Sequence, residues 1–222
     1  MTPISSTHGL GSQTTAAPIN QSETSYPSRL LTKGDTLYRD GDAADTTYRV
    51  EEGLLKLSID LLTGKERIIS VAGPGDYIGA LTPAHHHYDE TAEALSQEVR
   101  VTVMAKESLS DSLKEEVAAA AGQHMTRLRN NLEDGELPVP SRLARTFVRL
   151  GERFGHVNED HNVRLTLPLT HDNFAAMVGA ARETTTAVLS DMRDEGVLEG
   201  TRGRYHFNLN DLSDYASSAA FQ

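Results

Sequence analysis

The sequence predicts an α+β chain in three parts: an all-β sandwich or barrel, one long helix, and a smaller unit of helices and a hairpin. Three observations carry this. From Arg29 to about Lys106, short apolar runs are broken by turn residues about every 8–12 positions. Around Leu109 the apolar spacing changes to four and three. Beyond Leu137, prolines, glycines and cap residues divide the chain into short helical and strand-like pieces.

A length of 222 residues suits two modest cores better than one. Hydrophobic residues make up 38% of the chain, and no stretch approaches the roughly 20 consecutive apolar residues that cross a bilayer, so no membrane partner is expected. Residues 1–28 are rich in Ser, Thr, Gln, Ala and Pro and lack the apolar run of a secretion signal; they read as a disordered tail, and cytoplasmic residence fits. With no cysteine, disulfides, thiolate zinc sites and cysteine-held iron–sulfur clusters are excluded. The net charge of −11 argues against a nucleic-acid partner until its distribution is considered. Through Glu136 there are 12 Lys and Arg against 21 Asp and Glu; from Leu137 onward there are 9 against 11. The acid therefore sits mostly in the first part, and Arg182, Arg202 and Arg204 can form a local basic surface in the second.

In order along the chain, Lys33-Gly34-Asp35, Asp40-Gly41-Asp42, Glu52-Gly53, Thr63-Gly64-Lys65 and Gly73-Pro74-Gly75-Asp76 are turns. Thr47–Val50, Leu54–Leu61, Arg67–Val71 and Val99–Met104 are the strand-like pieces between them. The run Leu109, Leu113, Val117, Ala121, Met125, Leu128 and Leu132 then lays one apolar seam along a helix of roughly 25 residues. With small residues at Ala118–Ala121, a parallel homodimer about Leu113, Val117, Ala121, Met125, Leu128 and Leu132 would bury it; packing onto the chain's own β unit is the alternative. Asp134-Gly135-Glu136 with Pro138 and Pro140 forms a hinge, Ser141 reads as a helix cap, and Leu143, Phe147, Leu150 and Phe154 share one helical face before the polar loop Gly155–Asn162.

The segment from Val163 says most about function. An apolar strand, Val163–Leu167, precedes Thr170 as a cap and His171–Val178 as a short helix. Gly179 interrupts, and a second helix runs from about Ala181 to Glu195 with Thr184, Val188, Leu189 and Met192 inward. Gly196 ends it, and Val197–Phe207 forms a hairpin with its tip at Gly200-Thr201-Arg202-Gly203. Helix, glycine turn, helix, hairpin is the order of a winged helix-turn-helix, a reader of double-stranded DNA. Its second helix enters the major groove by its first turn, where Arg182 and Glu183 fall. An Arg fork can donate to guanine O6 and N7, and a Glu can accept from cytosine N4. Thr170, Thr184, Thr185 and Thr186 suit phosphate contacts, and Arg202 and Arg204 can reach flanking phosphates or the minor groove. Taken without that setting, Arg182 and Glu183 would read as a solvated helix start.

These residues resemble the CRP/FNR superfamily of bacterial transcription regulators over nearly the whole chain after the tail. The resembling stretches are Lys33-Gly34-Asp35, Gly53–Leu57, Pro74–Leu81 and above all Val178-Gly179-Ala180-Ala181-Arg182-Glu183-Thr184-Thr185. The resemblance implies a cyclic-nucleotide-binding-like β-roll (jelly roll) over residues 29–108, a dimerisation helix over 109–136 and a DNA-binding winged helix-turn-helix over 137–222. It also implies that Arg182 and Glu183 read TGTGA-like half-sites in a palindrome. Where the family often carries a further base-contacting Arg, this chain has Ala187.

Cyclic-AMP-binding members carry a Gly-Glu-Leu whose carboxylate holds the ribose, then an Arg-Ser that holds the phosphate. Here those positions are Gly79-Ala80-Leu81 and Glu90-Thr91, and Arg127-Leu128 replaces the Thr-Ser that grips the base. A carboxylate facing a phosphate in a half-buried pocket costs several kcal/mol, so cyclic AMP is not expected in that pose, and no cofactor is. His85-His86-His87 are adjacent and cannot all face one ion, although two of them with His124 or a carboxylate could; the loop reads as solvated and no metal site is expected. Through Thr170-His171-Asp172, Val178-Gly179 and Arg182-Glu183-Thr184 the chain also resembles the effector-independent Thermus–Deinococcus activators, dimers often serving stress responses. That implies a β-roll acting as scaffold and as a surface for RNA polymerase, with the Thr63–Glu66 turn and the His156–His161 loop as candidate contacts. A regulator gated by another nucleotide or a metal is the alternative.

Overall fold

A computed structural model describes residues 26–221 except Pro83 and His85. Eight strands come first: β1 (Ser28–Thr32), β2 (Thr36–Tyr38), β3 (Thr46–Glu52), β4 (Leu55–Asp60), β5 (Glu66–Ala72), β6 (Tyr77–Gly79), β7 (Thr91–Ala94) and β8 (Glu98–Ala105). They form two antiparallel sheets, ordered β1-β8-β3-β6 and β2-β7-β4-β5, which face each other as a jelly roll. Alternation explains the packing: in β8, Val99 and Val101 are fully buried while Glu98 and Arg100 face out. The interior also holds a stack of tyrosines, with the Tyr38 ring 4.1 Å from Tyr88 and 5.7 Å from Tyr48. The tail expected through Ser28 ends earlier. Tyr26 donates to the Ser108 carbonyl and Ser28 pairs with Thr102, because β1 completes the open edge of β8. The disorder expected over residues 1–25 falls outside the described residues.

The long helix is α1 (Asp111–Gly135), capped by the Ser110 hydroxyl, which accepts from the Leu113 amide. Its seam divides. Val117, expected at a dimer interface, is instead 4% exposed and packs in its own chain with Leu81, Met104 and Leu109, with Leu113 and Ala121 half-buried beside it. A helix laid against its own roll buries the side that faces it. Farther along, α1 still meets the roll through Arg127 and Asn131, and on its opposite side Met125 and Leu132 are 65% and 75% exposed. No helix among the described residues is long and apolar enough to cross a membrane.

The hinge expected at Asp134–Pro140 is a tight corner into α2 (Val139–Phe154). Ser141 does not cap this helix. The N-cap is Pro138, Pro140 occupies the first turn, and Ser141 lies buried one residue further in. Proline tolerates that position because its missing N–H is one of the orphans of a helix start. The rest follows as β9 (His156–Val157), β10 (Asn162–Thr166), α3 (His171–Val178), α4 (Arg182–Asp194), β11 (Glu199–Thr201), β12 (Arg204–Asn208) and α5 (Leu209–Ser218). The four strands make a sheet ordered β11-β12-β10-β9. Its core is an aromatic cluster around Phe147, whose ring lies 4.8 Å from Phe174, 4.9 Å from Tyr205 and 5.9 Å from Phe207. Val71 and Leu95 of the roll belong to the same apolar cluster, so this core fastens the C-terminal unit onto the β-roll.

Candidate nucleic-acid interface

Two helices and a hairpin position the site. Thr170 caps α3 in a reciprocal box: its hydroxyl accepts from the Asn173 amide at 3.2 Å, and the Asn173 carboxamide accepts from the Thr170 amide and hydroxyl. The hydroxyl proton is thus engaged by Asn173, so Thr170 would donate to a phosphate by exchanging that bond. Gly179 ends α3 in the left-handed region at φ 63°, and a three-residue turn delivers Arg182 as the first residue of α4.

On α4, Thr185, Val188, Leu189 and Met192 turn inward. The sequence placed Thr184 on that face and Thr185 among the phosphate donors; the structure reverses them. Thr185 is fully buried and its hydroxyl donates to the Ala181 carbonyl at 3.0 Å, whereas Thr184 is exposed. The spacing 185, 188, 189, 192 is the i, i+3, i+4, i+7 signature that would have identified it. Arg182, Glu183, Thr184, Thr186 and Ala187 form the outer face.

Arg182 is 63% exposed at its side chain, and its Nε stands 3.5 Å from Asp172 Oδ1 on α3. That contact involves the inner nitrogen and leaves the terminal nitrogens, the end of the guanidinium that bonds a guanine edge, without a protein acceptor among the described residues. His171 Nδ1 lies 3.0 Å from Thr186 Oγ1; burial and then the nearby Arg193 and Arg182 hold this imidazole below its ordinary range, which favours its neutral form. At the far end of α4, Arg193 donates to the Gly200 carbonyl and ties the helix to the wing.

The wing turns at Arg202-Gly203, both with positive φ (52° and 80°), between the paired residues Thr201 and Arg204. This is a tight two-residue hairpin that twists with its strands. A Cβ on Gly203 would meet the Leu167 carbonyl at 2.2 Å, so only glycine fits where the hairpin crosses the end of β10. Arg202 and Arg204 are exposed. The sequence assigned nothing to α5, although Asn208 accepts from the Asn210 amide and caps it; α5 packs on α2 and carries no part of this face.

The roll interior holds a buried acid. Glu90 is 7% exposed and accepts from the Tyr38 hydroxyl at 3.0 Å; His124 Nε2 of α1 is 3.5 Å from its second oxygen. Burial, the largest influence, pushes its carboxyl up to about 7, against the lowering effect of the Tyr38 bond. Because the folded value lies above the unfolded one, this contribution to stability is full below about pH 4.5 and is lost as pH rises through about 7. Glu90→Gln keeps an acceptor for Tyr38. Relative to wild type it is expected to gain about 3 kcal/mol between pH 4.5 and 8, read by urea unfolding at stepped pH; a constant difference would refute the assignment. Among the described residues no three His, Asp or Glu side chains gather as metal ligands; His85 of the expected His cluster lies outside them.

Fold and outer face together define a DNA-binding regulator: a winged helix-turn-helix fastened to a β-roll of the cyclic-nucleotide-binding type. Models of those two domains, the Crp-like helix-turn-helix domain and the cyclic nucleotide-binding domain, match residues 141–214 and 28–116. The chain belongs to the CRP/FNR superfamily of transcription regulators, and its relatives are regulators, not enzymes. It is similar to the transcriptional regulator LdrP of Thermus thermophilus, 29% identical over 195 residues that span 86% of this chain and 97% of LdrP. It is also similar to a CRP-like cAMP-activated global transcriptional regulator of Mycobacterium tuberculosis, 28% identical over 171 residues, 74% of this chain and 76% of that protein. A solved CRP/FNR-family regulator from Thermus thermophilus superposes with a TM-score of 0.71 at 27% identity, covering 87% of this chain and all of that one.

Proposed function

We propose that the protein is a cytoplasmic homodimeric activator that binds a TGTGA-like palindrome without cyclic AMP and contacts RNA polymerase through its roll or the His156–His161 loop. The observation that carries this reading is the outer face of α4, where Arg182 and Glu183 stand free of the core at the groove-entering turn. Thr184, Thr186, Arg202 and Arg204 supply phosphate contacts around them. Dimerisation uses the outer half of the α1 seam: Met125, Leu128 and Leu132, with the rims of Leu113 and Ala121. Independence from cyclic AMP is supported by Glu90 and the tyrosine stack, which occupy the roll interior with an acid and three rings. The likeness to Thermus regulators supports the same reading.

A gel-shift titration against a TGTGA palindrome tests it. Equal affinity with and without cyclic AMP is expected, with the complex containing two chains. An absolute requirement for cyclic AMP, or no preference for the palindrome over scrambled duplex, would overturn the reading.

A further inference from the structure

We propose that the cleft where the β-roll, α1 and α2 meet binds a single phosphate dianion, held by Arg127, Arg149 and Arg153. A cavity of about 80 Å³ opens there, walled by these three arginines with Ser70, Asn131 and Thr146 over an apolar floor, and no carboxylate lines it. One water needs roughly 10–15 Å³ of such space, so the cavity takes a tetrahedral oxyanion with its waters and is too small for a nucleotide. Thr146 donates its hydroxyl proton to the Arg142 carbonyl and Asn131 one of its two amide protons to that of Ile69, so the anion is held mainly by the guanidiniums.

The charge balance of the junction calls for such a ligand. Asp76 is shared by Arg127 and Arg153, and Asp134 by Arg145 and Arg149. Arg67 and Arg142 neighbour this cluster, and neither has a carboxylate at ion-pair distance among the described residues. The Arg142 Nε is buried without an acceptor. Six guanidiniums therefore share two carboxylates at a half-buried contact between domains, an arrangement that costs free energy until a counter-charge enters. Burial and then Arg142 hold the Arg67 guanidinium below its usual range, and burial does the same to Arg153, which also feels Arg127. Arg127 and Arg149 each bond their carboxylate through one terminal nitrogen, so their Nε and second terminal nitrogen have no protein acceptor among the described residues. A phosphate dianion accepts from such forks in pairs. Held there, it ties α1 to α2 across the corner at Asp134–Pro140 and so sets the angle at which α4 is presented.

The site stands apart from the DNA reading, because binding is measured on the full chain with no DNA present. The experiment is equilibrium dialysis of labelled inorganic phosphate at constant ionic strength. One saturable phosphate per chain is expected, weakened at least about tenfold in Arg127→Gln and in Arg149→Gln, the loss of one charge-assisted bond. Arg129→Gln, which breaks only an exposed pair with Glu133, should bind as the wild type does. In Arg127→Gln, Asp76 keeps Arg153, and far-ultraviolet dichroism verifies the fold. Equal competition by methyl phosphate assigns the site to a phosphomonoester head and absence of competition to orthophosphate; both uphold it. No saturable binding by the wild type, or undiminished binding by both cavity variants, overturns it.

Discussion

Arg182→Gln is expected to abolish discrimination of the palindrome while leaving weak, salt-sensitive binding to any duplex. A bidentate Arg–guanine contact is worth about 1–3 kcal/mol of discrimination, and a dimer makes it twice, so the specific-to-scrambled affinity ratio should fall by about 2–6 kcal/mol. Gln is long enough to reach the groove but lacks the fork. The inward side of α4 does not involve residue 182, so thermal stability should be unchanged and the loss can be read as recognition. Arg202→Ala provides the contrast: removing one phosphate-binding cation from each wing lowers affinity for all sequences alike and flattens the salt dependence by about two counterions per dimer. Competition gel shifts at several salt concentrations separate the two behaviours. An Arg182→Gln protein that still prefers the palindrome as strongly as wild type would show that specificity resides elsewhere on the face.

The C-terminal unit was legible in the sequence because its punctuation is local. Thr170, Gly179, Gly196 and the Arg202-Gly203 tip each act through their own backbone, and they place α3, α4 and the hairpin within a residue or two of where they lie. The longer strands of the roll, β3, β4, β5 and β8, rich in apolar and β-branched residues, were equally plain. Those that escaped notice are β1, which abuts the polar tail and buries only Leu31, and the short β2, β6 and β7, whose pairing is set by their neighbours. Where consecutive residues are alike, as in Thr184-Thr185-Thr186, only the phase of the helix separates the buried one from the exposed ones, and one step in sequence turns a side chain by about 100°. The junction was illegible for a different reason. Asp76 meets Arg127 and Arg153 across 51 and 77 positions, and Val71 joins a core whose other members mostly follow Leu143. No periodicity records such pairs.

That shared core makes Phe147→Ala the substitution with the largest expected effect on stability. The ring is fully buried and touches Phe174, Tyr205 and Phe207, so it joins α2 to α3 and to the wing strand β12. Deleting a buried phenyl group costs about 3–5 kcal/mol, the transfer of its atoms plus the cavity left among rigid rings. Each aromatic pair broken adds about 0.5–1.5 kcal/mol. Because the cluster continues into Val71 and Leu95, the substitution should also loosen the C-terminal unit from the roll and lower DNA affinity, although residue 147 lies in the core and away from the outer face of α4. The chain has no Trp, so urea unfolding is followed by helical dichroism, at one protein concentration to hold any dimer equilibrium fixed. Phe147→Leu, which retains most of the volume, should lose clearly less. If both variants unfold within 1 kcal/mol, roughly, of wild type, the aromatic cluster does not hold this unit together, since core truncations of that kind are costly wherever packing is tight.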